Sequence, residues 1–265
     1  MRRVIVGDVE IVSLLDGTEA YKAAEVYIEA GADLARYSDL LEPDGKVKLP
    51  FQSFLLRADG RTVLVDTGNG PEAQGRLLDE LKQAGATVGD VDAVMFTHLH
   101  GDHTGWNIDR DSGAARFSNA QYLVPRGDWD HYRAADPPPT SFTRDIVALE
   151  RLGALELIDD GHVISPSLTT LHTPGHTPGH MTVVVRSNGA EAYVLGDAFV
   201  TGVDVAEVDW VTSFDWSAPE VRRTRRQLLE RIESSDALVA ASHLAEPGLG
   251  RFVTTADRRT FAPSD

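Results

Sequence analysis

His98-Leu99-His100-Gly101-Asp102-His103 sets three imidazoles and a carboxylate within six residues, directly after the apolar segment Val91-Asp92-Ala93-Val94-Met95-Phe96. So many donors in one place are costly unless a single ligand engages them together. Neutral imidazole and carboxylate suit zinc, and also manganese or iron. In an extended segment side chains alternate, so His98 and His100 share one side, whereas Asp102 and His103 need a turn to aim elsewhere. Gly101 and Gly105 permit such a turn. The run therefore predicts two metal positions side by side, presented by the end of a strand.

Working outward, the composition narrows the class. The 265 residues are 42% apolar and 25% charged, as in an ordinary globular protein. That length suits one large domain, and neither a repeat, a low-complexity tract nor a linker divides it; a single domain over residues 1–265 is expected. A net charge of −16, from 41 acidic and 25 basic residues, disfavours a nucleic-acid or anionic-membrane partner. There is no cysteine, so disulfides and thiolate ligands are excluded, and any metal is held by His, Asp or Glu. The apolar run near Met1 is interrupted by Asp8 and is too short for a signal-peptide core. No stretch approaches the ~20 apolar residues of a membrane span. A cytoplasmic enzyme acting on a small molecule is the expectation.

Strand-like segments appear at Val4–Leu15, Phe51–Leu56, Arg61–Val65, Val91–Thr97, Gln121–Val124, Leu168–His172, Met181–Arg186 and Ala192–Leu195, with a last strand at Ala237–Ala241. Helical spacing marks Glu72–Ala84, a segment from Arg126, Thr143–Arg151 and Glu220–Glu233. Interleaved helices and strands, with both hairpins and crossovers, predict a layered α/β protein. Residues 17–50 are the least regular and are candidates for a lid. The arginines at 222, 223, 225, 226 and 231 read as a solvated helix face, with Val221, Leu228 and Ile232 turned inward.

Further donors follow along the chain. Leu171-His172-Thr173-Pro174-Gly175-His176-Thr177-Pro178-Gly179-His180 holds three histidines in a Gly/Pro-directed loop, Gly196-Asp197 follows an apolar strand, and Ser242-His243 ends another. Together with Asp66-Thr67-Gly68 and Thr97–His103, these pieces resemble the metallo-β-lactamase superfamily, in order and spacing, from about residue 50 to residue 250. The resemblance implies an αββα sandwich with a dinuclear site at one edge of the sheets. By position it implies that His98, His100 and His176 hold the first metal, that Asp102, His103 and His243 hold the second, and that Asp197 bridges them. His172 and His180 become loop or supporting residues, and Asp66 an orienter of a ligand histidine.

Two Zn2+ ions, with Mn2+ or Fe2+ as substitutes, would lower the pKa of a shared water and so provide a bridging hydroxide to attack a carbonyl or phosphoryl centre. Asp102 is the candidate catalytic proton carrier. Lactamases that use a cysteine ligand are excluded by composition, and nuclease branches are disfavoured by the charge of −16 and the lack of a basic exosite. The tail His243-Leu244-Ala245-Glu246-Pro247-Gly248-Leu249-Gly250 is similar to the lactonase and methyl parathion hydrolase-like branch, which implies hydrolysis of a lactone, ester or related activated compound, and a homodimer. The alternatives are a thioesterase of the hydroxyacylglutathione hydrolase type and a mononuclear iron enzyme similar to persulfide dioxygenases, the latter opposed by His243. Val200 stands where acyl-homoserine lactonases carry a tyrosine that assists at the substrate carbonyl, so a quorum-signal lactone is not the favoured substrate. Phe199, Trp106, Trp210 and Trp216 are candidates for an apolar substrate pocket or for the core.

Overall fold

The computed structural model describes residues 2–255 and 257–264; Met1, Ala256 and Asp265 lie outside the described residues. Among the described residues fourteen strands form two seven-stranded sheets, and each sheet follows chain order. The first contains β1 (Arg2–Val6), β2 (Val9–Lys22), β3 (Lys46–Ala58), β4 (Arg61–Val65), β5 (Ala93–Met95), β6 (Gln121–Pro125) and β7 (Leu155–Ile158). The second contains β8 (Val163–Ser165), β9 (Leu168–His172), β10 (Met181–Ser187), β11 (Ala190–Val194), β12 (Leu238–Ala240), β13 (Leu249–Thr254) and β14 (Arg259–Pro263). β1 to β4 run antiparallel, β4 to β7 parallel, and β11 pairs β12 in parallel.

Strand alternation explains the layering, because neighbouring residues pack on opposite faces. Val12, Leu14, Leu55 and Leu64 meet Leu77 and Leu81 of α2 (Leu77–Gln83), after α1 (Ala23–Val26) in the chain. Ile11, Phe54, Leu56, Val63 and Val65 face the second sheet's Leu168, Val183, Val185 and Val194. After α3 (Gly101–Thr104), α4 (Arg126–Arg133) and α5 (Val147–Arg151) cover the first sheet with Trp129 and Leu149. Beyond the short α6 (Gly202–Ala206), α7 (Ala218–Ser235) covers the second sheet with Leu228, Leu229 and Ile232. The order is helix, sheet, sheet, helix: the expected αββα sandwich.

Several element boundaries differ from expectation. Val4–Leu15 is two strands, because Gly7 turns at φ +60° and its missing side chain leaves room for Ser187. Ala237–Ala241 is not the last strand; β13 and β14 extend the sheet. The helix expected from Glu72 starts only at Leu77, since Gln74 adopts a left-handed conformation at φ +57°. Residues 17–50 are more regular than their composition implies: β2 and β3 stay paired from Glu10–Arg57 to Lys22–Lys46. Between those strands, Val26, Tyr27 and Tyr37 pack with Val200, Val203 and Trp210. Among the described residues no helix is long and apolar enough to cross a membrane.

Candidate metal centre

Six of the seven candidate ligands follow the C-terminal ends of the parallel-paired strands β5, β11 and β12, where open α/β sheets present their sites. After β5 the chain bends at Thr97, is extended at His100 (φ −67°, ψ 156°), and then turns into α3, which carries Asp102 and His103. Gly105 serves close approach rather than unusual dihedrals: its φ is −69°, and a Cβ there would lie 2.2 Å from Asn69. His176 comes from the loop between β9 and β10, Asp197 from the end of β11 and His243 from the end of β12. Gly196 adopts φ +52° against Thr97 and His180, which a side chain would strike at 2.7 and 2.8 Å.

All seven side chains converge. His98 Nε2 and His176 Nε2 each stand 3.0 Å from His100 Nδ1. His103 Nε2 is 3.5 Å from Asp102 Oδ2, and His243 Nε2 is 3.4 Å from the same oxygen. Asp197 lies between the clusters: Oδ2 is 3.4 Å from His176 Nε2 and 3.1 Å from His243 Nε2, and Oδ1 is 3.4 Å from His103 Nε2. Ligands about 2.0–2.1 Å from a tetrahedral zinc stand about 3.3 Å apart, so these spacings suit coordination. His103 Nε2 and Asp197 Oδ1 are buried without a hydrogen-bond partner; polar atoms are rarely left so unless an ion satisfies them. The residues fit two divalent ions, one against His98, His100 and His176 and one against Asp102, His103 and His243.

The imidazoles are held from behind, which fixes the nitrogen each presents. His103 Nδ1 donates to Asp66 Oδ2 at 2.9 Å, as expected of that aspartate, and Asp66 also takes the Thr97 amide and hydroxyl at 2.8 and 2.7 Å. With its hydroxyl proton given to Asp66, Thr97 Oγ1 accepts from His98 Nδ1 at 3.1 Å. His176 Nδ1 donates to Asp215 at 3.0 Å and His243 Nδ1 to the Pro50 carbonyl at 2.8 Å. These four rings therefore point Nε2 inward, whereas His100 offers Nδ1. His180 takes the Asp197 amide on Nε2 at 3.1 Å and so supports the bridging residue. His172 is exposed, with Nε2 on the Pro178 carbonyl.

The electrostatics divide the site. Burial pushes His98 well down, His100 to about 4 and His180 to about 3, so these rings stay neutral. Burial opposes charge on His103 and His243 as well, but Asp197 and Asp102 outweigh it, raising His103 and lifting His243 to about 10. Burial likewise opposes ionisation of Asp102 and Asp197, yet His103 and His243 hold both below the usual carboxylate range.

A cavity of about 560 Å³ opens on His100, Asp102, His176, Asp197 and His243. Tyr21, Leu49, Phe51, Val200 and Phe214 give it an apolar side, and Asn69 and Arg144 a polar one. The four aromatics singled out in the sequence do not line it. Phe199 packs under α7, Trp106 donates to Asp16 at 2.9 Å, Trp210 sits between Tyr27 and Tyr37, and Trp216 is half exposed beside His131. Sequence reasoning also missed Asp128, a buried carboxylate taking the Leu99 amide at 3.0 Å, the Thr177 hydroxyl at 2.9 Å and the Gly179 amide at 2.6 Å. It thereby ties the His98–His100 segment to the His176 loop. Arg225 is fully buried rather than solvated. Its register with Val221, Leu228, Leu229 and Ile232 on one helical stripe was the available signal.

The chain resembles known proteins along most of its length. The N-acyl homoserine lactonase AttM of Rhizobium radiobacter is 26% identical over 230 residues, covering 76% of this chain and 83% of that protein. A Bacillus N-acyl homoserine lactonase is 26% identical over 194 residues, 64% of this chain and 72% of the relative. Among solved structures, AidC, a dizinc quorum-quenching lactonase in complex with a homoserine product, superposes with a TM-score of 0.86 at 22% identity, covering 100% of this chain and 97% of AidC. The hydrolase AbOPH matches with a TM-score of 0.86 at 22% identity, over 99% and 97% of the two chains. The family model of the metallo-beta-lactamase superfamily matches residues 51–243, from inside β3 to the last ligand. The chain belongs to the metallo-β-lactamase superfamily.

Proposed function

We propose that this protein is a dizinc hydrolase that opens a lactone or cleaves a related activated ester or phosphoester. The observation that carries the reading is Asp197, which stands between two complete ligand clusters at the floor of the cavity. A structural metal site is closed on all sides, whereas this one faces an opening large enough for a small ester. The similarity to N-acyl homoserine lactonases adds support for the lactone class.

His98, His100 and His176 would hold one zinc, Asp102, His103 and His243 the other, and Asp197 both. Bound there, the ions would supply Lewis acidity and a nucleophilic water at neutral pH. Asp102 reaches the cavity with about a quarter of its side chain exposed. As the carboxylate nearest solvent, it is the group we assign to carry the proton between the reacting centre and the leaving oxygen. The apolar side, with Tyr21 and Phe214 edge to face at 5.7 Å, receives the hydrocarbon part of the substrate. Asn69 and Arg144 offer donors to its polar part. Arg144 is held in place by Asp145, with nitrogen-oxygen distances of 2.9 and 2.6 Å.

Metal analysis of the purified protein, followed by a panel of lactones, aryl esters, thioesters and phosphotriesters, tests the reading. Two zinc ions per chain and turnover led by lactones or aryl esters are expected. Turnover of thioesters alone would place the enzyme with the hydroxyacylglutathione hydrolases. One iron per chain with oxygen uptake on a persulfide would overturn hydrolysis altogether.

A further inference from the structure

Of the five arginines on α7, Arg225 has no exposed surface, and its guanidinium fork reaches three segments at once. Nε donates to the Ala198 carbonyl at 2.7 Å, and one terminal nitrogen donates to the Trp210 carbonyl at 2.5 Å. The other terminal nitrogen lies 3.4 Å from Asp204 Oδ2 and 3.7 Å from Asp215 Oδ2. Both carboxylates are themselves committed. Asp215 takes His176 Nδ1 at 3.0 Å on one oxygen and the Thr212 amide at 2.7 Å on the other. Asp204 takes the Val200 and Thr201 amides at 2.8 and 3.0 Å, and the Tyr27 hydroxyl at 2.7 Å.

Two routes thus run from one guanidinium to the metal ligands. Through Asp215 it reaches His176. Through the Ala198 carbonyl, and through Asp204 to the next two amides, it fixes the backbone directly after Asp197. Two buried carboxylates beside one guanidinium nitrogen repel unless that cation sits between them, and without it Asp215 faces His176 with only the Thr212 amide to hold its other oxygen. Only a rigid planar fork serves both carbonyls and both carboxylates; an ammonium is a single point of charge.

We propose that Arg225 is a positioning residue for the zinc held by His98, His100 and His176, acting through Asp215 on His176 and through the Ala198 peptide on Asp197. The proposal rests on the dizinc reading. Tyr27 extends the same network to the segment between β2 and β3, so that segment is anchored to the same hub.

The test compares zinc binding in wild type, Arg225→Met and Arg225→Lys, by chelator competition and by the rise in melting temperature on loading zinc into the metal-free protein. A purely architectural role would lower the metal-free and the loaded melting temperatures together. A positioning role shrinks the zinc-induced rise, because ligand stabilisation follows the dissociation constant. One zinc is expected to bind about 10–100-fold more weakly in both variants, the usual scale for losing a partner behind a ligand. Lysine restores the stability of the metal-free fold but not the zinc affinity. Wild-type zinc affinity in either variant overturns the proposal. Should Arg225→Met fail to fold, Arg225→Lys decides it by the same readout, and undiminished zinc affinity there overturns the proposal. Failure of the dizinc reading is distinguishable, since wild type itself would then take up fewer than two zinc ions.

Discussion

Asp66 shows how much of a metal site can rest on one carboxylate. Three donors meet its two oxygens: the Thr97 amide, the Thr97 hydroxyl and His103 Nδ1. Thr97 in turn orients His98, so Asp66 acts directly on one metal position and at one remove on the other. Asp66→Asn keeps the shape but offers one oxygen and brings an amide hydrogen against a donor. We expect the zinc at His103 to weaken by about 10–100-fold and the zinc at His98 by less. Chelator competition resolves the two, and equal loss at both would contradict the hierarchy. The seven candidate ligands that converge, and Asp66 behind them, were legible in the chain because histidines and aspartates beside glycine turns are distinctive as a group. Asp128, Asp215 and Arg225 were not, because a single aspartate in a polar loop, or one arginine among five, has no pattern of its own until the fold supplies its partners.

At the scale of the elements, the informative feature is the irregularity in β2. Its pairing with β3 shifts register between Leu15 and Gly17, at Asp16. Such an extra residue re-aims a side chain. Here it directs a buried carboxylate to the Asn69 amide and the Leu77 amide at 2.7 Å each, and to Trp106 Nε1 at 2.9 Å. That one group joins the loop after Asp66, the start of α2 and the segment following the ligand histidines. Asp16→Ala strands two buried donors, the Leu77 amide and Trp106 Nε1, and the half-buried Asn69 amide; each buried donor left unpaired costs about 1–3 kcal/mol. A destabilisation of about 3 kcal/mol or more is expected in urea titration, and a change below 1 kcal/mol would show that the junction is held otherwise. The strands of the core were readable from their apolar runs. β13 and β14 were not, because Arg251, Thr254 and Arg259 dilute the pattern of a partly exposed edge. The pairing of residues 17–22 with 46–51 was equally hidden: the registers that join two distant polar stretches are set by the β-strands they continue, not by their own composition.

For the whole molecule, the decisive fact is how the ligands divide between the two sheets. His98, His100, Asp102 and His103 belong to the half built on the first sheet, and His176, Asp197 and His243 to the half built on the second. Either candidate metal position therefore draws on both halves, and ions held there would act as cross-links over one edge of an interface that is otherwise apolar. In their absence that edge gathers imidazoles and carboxylates with orphaned polar atoms, which costs stability rather than adding it. An ion present at 1,000 times its dissociation constant contributes about 4 kcal/mol to the folded state. For a chain of this size each kcal/mol moves the melting temperature by about 2–4 °C. Removing both ions with a chelator should therefore lower the midpoint by more than 10 °C, and adding back zinc should restore it. Asp197→Ala, which takes away the carboxylate we assign to both positions, should recover a distinctly smaller part of that rise. A midpoint indifferent to chelation would mean that the two sheets hold together through the Ile11–Phe54–Val183–Val194 core alone, and that the metal site rides on the sandwich without clamping it.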